Sequence, residues 1–297
     1  MKSSQPESVF SCARSGRPAV AITLILIGVL FIALPCSAQQ PPERESVMTL
    51  ATLDVHALAR GFQSDEEMQG FCRVIAEFDF VALQGVRDER MLSAAVERLD
   101  DRFDLEYRYL ASQNVGVETA EMYAFLWRTD RVEYSGLSGV YLDPKDAFSR
   151  DPFFALFETH RFDFYAISVR LSLSDDPATR EAEALLLHDV YRFVQDLDGE
   201  NDVLMAGSFA LPTGNSAFDR LRRIPGMTAL ADDAPASAGD EANVTVWFQS
   251  SFTDEYTGDW GVLRLEEKSG DRTMRALSAV LDRRPVWAAF DLSEGDD

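Results

Sequence analysis

The chain has 297 residues, 46% hydrophobic and 26% charged, a composition that excludes a disordered tail, a coiled coil or a collagen and fits one large globular core. Its 50 acidic residues against 28 Lys and Arg give a formal net charge of -22, a field that repels DNA, RNA and anionic membranes and argues against nucleic acid as a bulk partner. Lysine stands only at Lys2, Lys145 and Lys268, so arginine supplies nearly all of the cations.

Residues 1–38 read as an export signal: Lys2, Arg14 and Arg17 precede an apolar run over 19–34, and Cys36-Ser37-Ala38 places small residues at a cleavage position. The run is short of the roughly 20 apolar residues that a spanning helix needs. Pro35 then interrupts it, so the expected location is periplasmic or extracellular, with an uncleaved N-terminal membrane anchor as the alternative. Cleavage leaves Cys72 as the remaining cysteine, which excludes an intrachain disulfide or a cysteine metal cluster. A polar linker, 39–46, leads into a domain over 47–292, and 293–297 form an acidic tail.

Within the domain, 47–55 reads as a first strand. Ser64 and Glu67 form a capping box ahead of Met68, Phe71, Cys72, Ile75 and Phe78 at helical spacing. A short buried strand follows at 79–84, a helix at 90–99, and strand-like runs at 105–111, 122–128, 132–142, 153–158 and 162–171. Phe153, Phe154 and Phe157 read as sheet core. The pattern 177–197 predicts a long helix with Pro177 in its first turn, where a missing N–H costs nothing. A strand at 202–206, a short helix at 216–223, a loop at 231–241 and strands at 244–248, 260–265 and 285–290 complete the pass. Strands in both halves with helices between them predict two packed sheets with helices outside.

The run Phe78-Asp79-Phe80-Val81-Ala82-Leu83-Gln84-Gly85-Val86-Arg87-Asp88 resembles the endonuclease/exonuclease/phosphatase superfamily, in its deoxyribonuclease I-like form. The resemblance continues through 107–128, Phe148-Ser149-Arg150-Asp151-Pro152-Phe153, Asp202 to Ala210 and Asp282-Arg283-Arg284-Pro285-Val286. It implies an α/β four-layer sandwich of two central β-sheets flanked by helices. It also implies hydrolysis of phosphodiesters or phosphomonoesters with a divalent ion, usually Mg2+, held by carboxylates, and with a histidine and an aspartate that activate water.

Carried onto this chain position by position, that chemistry is largely missing. The first-strand asparagine falls on Asp54, and the metal-binding glutamate falls on Gly85. The first histidine falls on Arg170, and the aspartate and asparagine of the Gly-Asp-Phe-Asn motif fall on Ser208 and Ala210. The late Tyr-Asp pair falls on Trp260-Gly261 and the terminal histidine on Arg283, while Glu121, Arg150 and Asp282 survive. Arginine stays protonated throughout the working pH range and cannot act as a general base.

His56, His160 and His188 all stand off the superfamily's catalytic positions. His56 shares a strand face with Asp54, which permits a remodelled metal site of Asp54, His56 and Glu121; a satisfied or surface histidine is the plainer reading. His188 reads as a helix-face residue and Ser208 as a loop-turn serine. Arg150, Arg170 and Arg283 either form an anion pocket or pair with Asp54, Glu121 and Asp282, and ion pairing is the expectation because a buried cation needs a partner. The resulting reading is an exported, catalytically degenerate member that binds a protein or a phosphate-bearing ligand and needs no cofactor. The alternative is a Mg2+-dependent nuclease or phosphodiesterase with a displaced site at Asp54, Glu121, Asp282 and His56.

Overall fold

Short, largely apolar runs, most of them buried on both faces, pair into two six-stranded mixed sheets in the computed structural model. The structure describes residues 46–293 except 117–119, 173, 175, 231–242 and 269. The expected export signal, the linker up to residue 45, the 231–241 loop and the tail from 294 lie outside the described residues. No helix among the described residues is long and apolar enough to cross a membrane.

The first sheet has the order β11-β12-β1-β2-β4-β3 and the second β5-β6-β7-β8-β10-β9. The first contains β1 (Val47–Asp54), β2 (Phe80–Val86), β3 (Tyr107–Ala111), β4 (Met122–Arg128), β11 (Tyr256–Val262) and β12 (Val286–Asp291). The second contains β5 (Glu133–Val140), β6 (Phe153–Glu158), β7 (Asp163–Arg170), β8 (Val203–Ser208), β9 (Met227–Ala229) and β10 (Val244–Gln249). Both sheets are mixed: β1 runs parallel to β2 and β7 parallel to β8, each followed by helix-bearing crossovers, and the other pairings are antiparallel.

Five helices carry the outer layers: α1 (Asp65–Ile75), α2 (Glu89–Phe103), α3 (Pro177–Gln195), the single turn α4 (Asp219–Arg222) and α5 (Arg272–Val280). Side-chain caps start four of them. The Ser64 hydroxyl accepts from the Glu67 N–H at 3.2 Å, and Asp88, Asp176 and Asp271 do the same for α2, α3 and α5. Sequence reading passed over α5, although Asp271 followed by Met274 and Leu277 at helical spacing is a start signal with an apolar face. It also placed Ser208 in a loop, whereas the strand runs two residues further and Ser208 is its last member.

Three apolar layers follow from this order. Leu50, Phe80, Phe125, Phe157, Phe164 and Phe290 fill the space between the sheets, with the Phe80 ring 4.8 Å from Phe157 and 5.4 Å from Phe164. Phe71, Leu83, Leu92, Leu277 and Trp287 join the first sheet to α1, α2 and α5, while Ile167, Leu187, Tyr191 and Trp247 join the second to α3 and its neighbours. The observed architecture is the α/β sandwich of two central sheets flanked by helices that the resemblance implied.

Candidate functional site

The inner faces of the strands change character at one end of the sandwich. Because side chains alternate, Leu50, Thr52 and Asp54 of β1 share a face, as do Ala82 and Gln84 of β2 and Ala166, Ser168 and Arg170 of β7. The apolar rows therefore end in a polar layer at Asp54, Gln84, Glu121, Ser168, Arg170 and Ser208, all buried. Gln84 links the sheets by donating to the Ser168 hydroxyl at 2.9 Å and accepting from Thr52 at 3.2 Å. The Tyr123 hydroxyl accepts the backbone N–H of Arg170 at 3.1 Å, a second link between the sheets.

Arg170 is the centre of that layer. Its Nε donates to Asp54 Oδ2 at 2.9 Å and its Nη1 to Glu121 Oε1 at 3.1 Å, and the side chain is only 2% exposed. Burial works against the guanidinium charge, and the Asp54 and Glu121 carboxylates outweigh it, so the group is held above its ordinary range. Glu121 also receives Arg150 through Nε, and Arg87 Nε lies 3.8 Å from Glu121 Oε2. Arg87, which sequence reasoning left unassigned, stands two residues after Gly85 at the end of the same strand, and that position was the available signal.

His56 completes the other flank. Its backbone N–H and its Nδ1 both meet Asp54 Oδ1, at 3.0 and 2.9 Å, and its Nε2 lies 3.4 Å from Asp282 Oδ2. Burial raises the Asp54 pKa, but the hydrogen bond from His56 and the charge of Arg170 overcome it and bring the carboxyl from 3.8 down to about 2. The short helical turn His56–Leu58 passes directly over Gly85, whose φ is +75°. A Cβ on residue 85 would fall 2.7 Å from the His56 Cβ. Glycine is therefore required at residue 85, because another part of the chain fills the space that a side chain would need.

The structure brings Asp54, Glu121, Arg150 and Arg170 together and sets Asp282 against His56. Arg283 follows Asp282 in the segment between α5 and β12. Ser208 is fully buried at the end of β8, opposite Arg170 in the strand pairing, and its hydroxyl has no hydrogen-bond partner among the described residues. Ala210 follows with a positive φ of 53°. Gly261 is a correction: it lies on the edge strand β11 against the Trp287 ring, on the sheet face away from Asp54. Val244 lies opposite Ser208 on β10, and the carbonyl of the preceding Asn243 accepts from the Phe209 N–H at 2.7 Å. The grouping of Asp54, His56 and Glu121 as one metal site is also corrected, since the Glu121 oxygens face arginines and the His56 ring bridges Asp54 and Asp282 without facing Glu121. His188 pairs with Asp189 on the surface of α3 and His160 is exposed in the turn before β7.

No family model matches the chain. A deoxyribonuclease of Thioalkalivibrio sp. (strain K90mix) is 28% identical over 278 residues, covering 89% of this chain and 74% of that protein. Rabbit (Oryctolagus cuniculus) deoxyribonuclease-1 is 27% identical over 211 residues, covering 66% of this chain and 74% of its own. Among solved structures, an endonuclease/exonuclease/phosphatase from Bacteroides vulgatus superposes with a TM-score of 0.59 at 16% identity, covering 84% of this chain and 100% of that one. The human nocturnin catalytic domain with bound sulfate gives 0.57 at 12%, covering 86% and 97%. These two show the shared fold.

Members of this superfamily are typically metal-dependent. The side chains present do not fit a divalent ion: arginines occupy the oxygens of Glu121, Arg170 and His56 those of Asp54, and residue 85 has no side chain to offer. Among the described residues no three His, Cys, Asp or Glu side chains are arranged to hold a metal ion. In fold and in sequence, the chain is similar to the endonuclease/exonuclease/phosphatase, deoxyribonuclease I-like superfamily.

Proposed function

We propose that this protein is a catalytically degenerate member of the superfamily, exported from the cytoplasm, that serves as a binding or scaffold module for a protein or a phosphate-bearing ligand. The observation that carries the reading is the bridge from Arg170 to Asp54 and Glu121. A permanently protonated guanidinium stands where a base is needed, and it occupies the carboxylates that a metal would need. Export rests on the basic, apolar and small-residue order of 1–38.

The test is turnover of DNA, RNA and a simple phosphodiester by purified protein in Mg2+, Mn2+ and chelator. No divalent-dependent hydrolysis is expected. Chelator-sensitive turnover abolished by Asp54→Ala or Glu121→Ala would overturn the reading. For export, intact mass of material recovered outside the cytoplasm is expected to begin at Gln39, and retention of 1–38 in a membrane fraction would favour the anchor.

A second reading, a phosphodiesterase with a displaced site, draws support from the likeness to the Thioalkalivibrio deoxyribonuclease and from the His56 ring set between Asp54 and Asp282. The same turnover assay with His56→Ala addresses it, since that reading requires activity that the variant loses.

A further inference from the structure

Asp54 ends β1 and Glu121 immediately precedes β4, both are buried, and both meet a single cation that reaches over from the second sheet. We infer that the Arg170 guanidinium is the resident cation of this site, a permanent part of the chain in the place of a dissociable ion. The domain then folds independently of divalent ions and acquires a response to them only when Arg170 is removed. This rests on the degenerate reading above for the fate of the carboxylates, but not for the absence of turnover.

Three features support the assignment. First, the cation cannot leave. Arg170 is in register with Ser208 on β8, and its backbone N–H is bonded to the Tyr123 hydroxyl, so its effective concentration at the carboxylates far exceeds that of a free ion. Second, the charges close without a metal: Arg170 and Arg150 balance Asp54 and Glu121, with Arg87 at the rim. Third, the position that could add a further carboxylate is closed, because any side chain at residue 85 meets the His56 turn. Nε and Nη1 of Arg170 are both spent on these carboxylates, and at 2% exposure the group has little surface for an external anion. Its role is thus internal neutralisation rather than anion capture.

The experiment compares wild type, Arg170→Ala and Arg170→Lys by thermal melting in chelator and in millimolar Mg2+ or Ca2+ at matched ionic strength, with calorimetric titration of Mg2+ into wild type. Matching matters because an acidic chain gains stability from screening alone. Wild type is expected to melt at the same temperature in both conditions and to show no saturable Mg2+ binding. Arg170→Ala is expected to melt about 10 °C lower in chelator and to recover part of that loss saturably with the divalent ion. Arg170→Lys, which retains a charge, should show little recovery. An Arg170→Ala protein as stable as wild type in chelator, or one destabilised without any divalent response, overturns the inference.

If Arg170→Ala does not fold in chelator, refolding with and without the ion decides the point: rescue by Mg2+ or Ca2+ supports the inference and failure overturns it. Saturable Mg2+ binding by wild type, lost in Asp54→Ala, also overturns it. Hydrolytically inert wild type that binds Mg2+ would sink this inference and leave the degenerate reading standing. Chelator-resistant turnover without Mg2+ binding would do the reverse.

Discussion

Two buried aspartates lie at opposite ends of the β1 and β2 pair, and they are neutralised in different ways. Asp79, just before β2, accepts from the Thr49 backbone N–H at 2.9 Å and the Thr49 hydroxyl at 3.0 Å. Its arginines stay at the rim, Arg128 at 3.5 Å and Arg131 at 3.8 Å. Asp54, which ends β1, takes its closest cation from the other sheet, Arg170 at 2.9 Å, with Glu121 beside it on the same guanidinium. Asp79 is thus held by its own sheet with cations in reserve, whereas Asp54 shares a single central cation with a second buried carboxylate. The first arrangement fastens neighbouring strands; the second spans the sandwich from one sheet to the other.

The largest test of that contrast is Arg170→Met. It leaves two buried carboxylates without their shared partner, and breaking a buried pair costs about 3 to 5 kcal/mol. Urea denaturation at neutral pH measures it. A loss no greater than that of Arg128→Met would mean that the two ends are held alike and that the bridge to Arg170 contributes little.

Gly85→Ala comes next, with an expected cost of about 2 to 3 kcal/mol from a left-handed backbone combined with collision against the His56 turn. Gly61 provides the control. Its φ is +71° and no atom lies within 4 Å of a Cβ built there, so Gly61→Ala bears the backbone cost alone, about 1 kcal/mol. Equal losses in the two variants would show that His56 yields freely and does not close position 85 to a side chain.

The pH dependence is smaller and has a fixed sign. The Asp54 pKa is depressed from 3.8 to about 2 in the folded protein. The stability it contributes is therefore complete above pH 3.8 and disappears as the pH falls through about 2. The shift corresponds to about 2 kcal/mol. Asp54→Asn should be less stable than wild type above this window and should show a shallower decline within it. Parallel acid limbs in urea midpoints taken from pH 5 down to 2 would place the titrating group elsewhere.

Most of the fold was legible because the strands announce themselves as short, near-continuous apolar runs bounded by polar residues, as in 122–128 and 153–158, whose predicted limits coincide with β4 and β6. The helix α5 was missed because its apolar positions, Met274 and Leu277, are few in a short segment. At the site, the resemblance put Arg150, Arg170 and Arg283 near Asp54, Glu121 and Asp282, and a buried cation's need for carboxylates supplied the expectation of pairing, which Arg170 meets with Asp54 and Glu121. Gly261 went astray for the opposite reason. A Trp-Gly pair in a strand carries no charge that must find a partner, so nothing in its chemistry tied it to one end of the sheet. The contact between His56 and Gly85 was also beyond sequence reasoning, because it depends on a turn passing over a neighbouring strand.

The smallest effect belongs to Arg128→Met, with an expected cost of about 1 kcal/mol. Asp79 would still accept from the Thr49 N–H and hydroxyl, and Arg131 would still face Oδ1 at 3.8 Å. Arg128 meanwhile divides its guanidinium between Asp79 and the exposed Asp130, which it meets at 2.6 Å. The informative variant is the pair Arg128→Met with Arg131→Met. If each cation covers for the other, the double loss should exceed the sum of the two single losses, since only then does the buried carboxylate face no arginine. Additive single losses would mean that Thr49 and the backbone satisfy Asp79 on their own. In that case a buried aspartate in this fold needs a cation only where, as at Asp54, a second carboxylate shares its pocket.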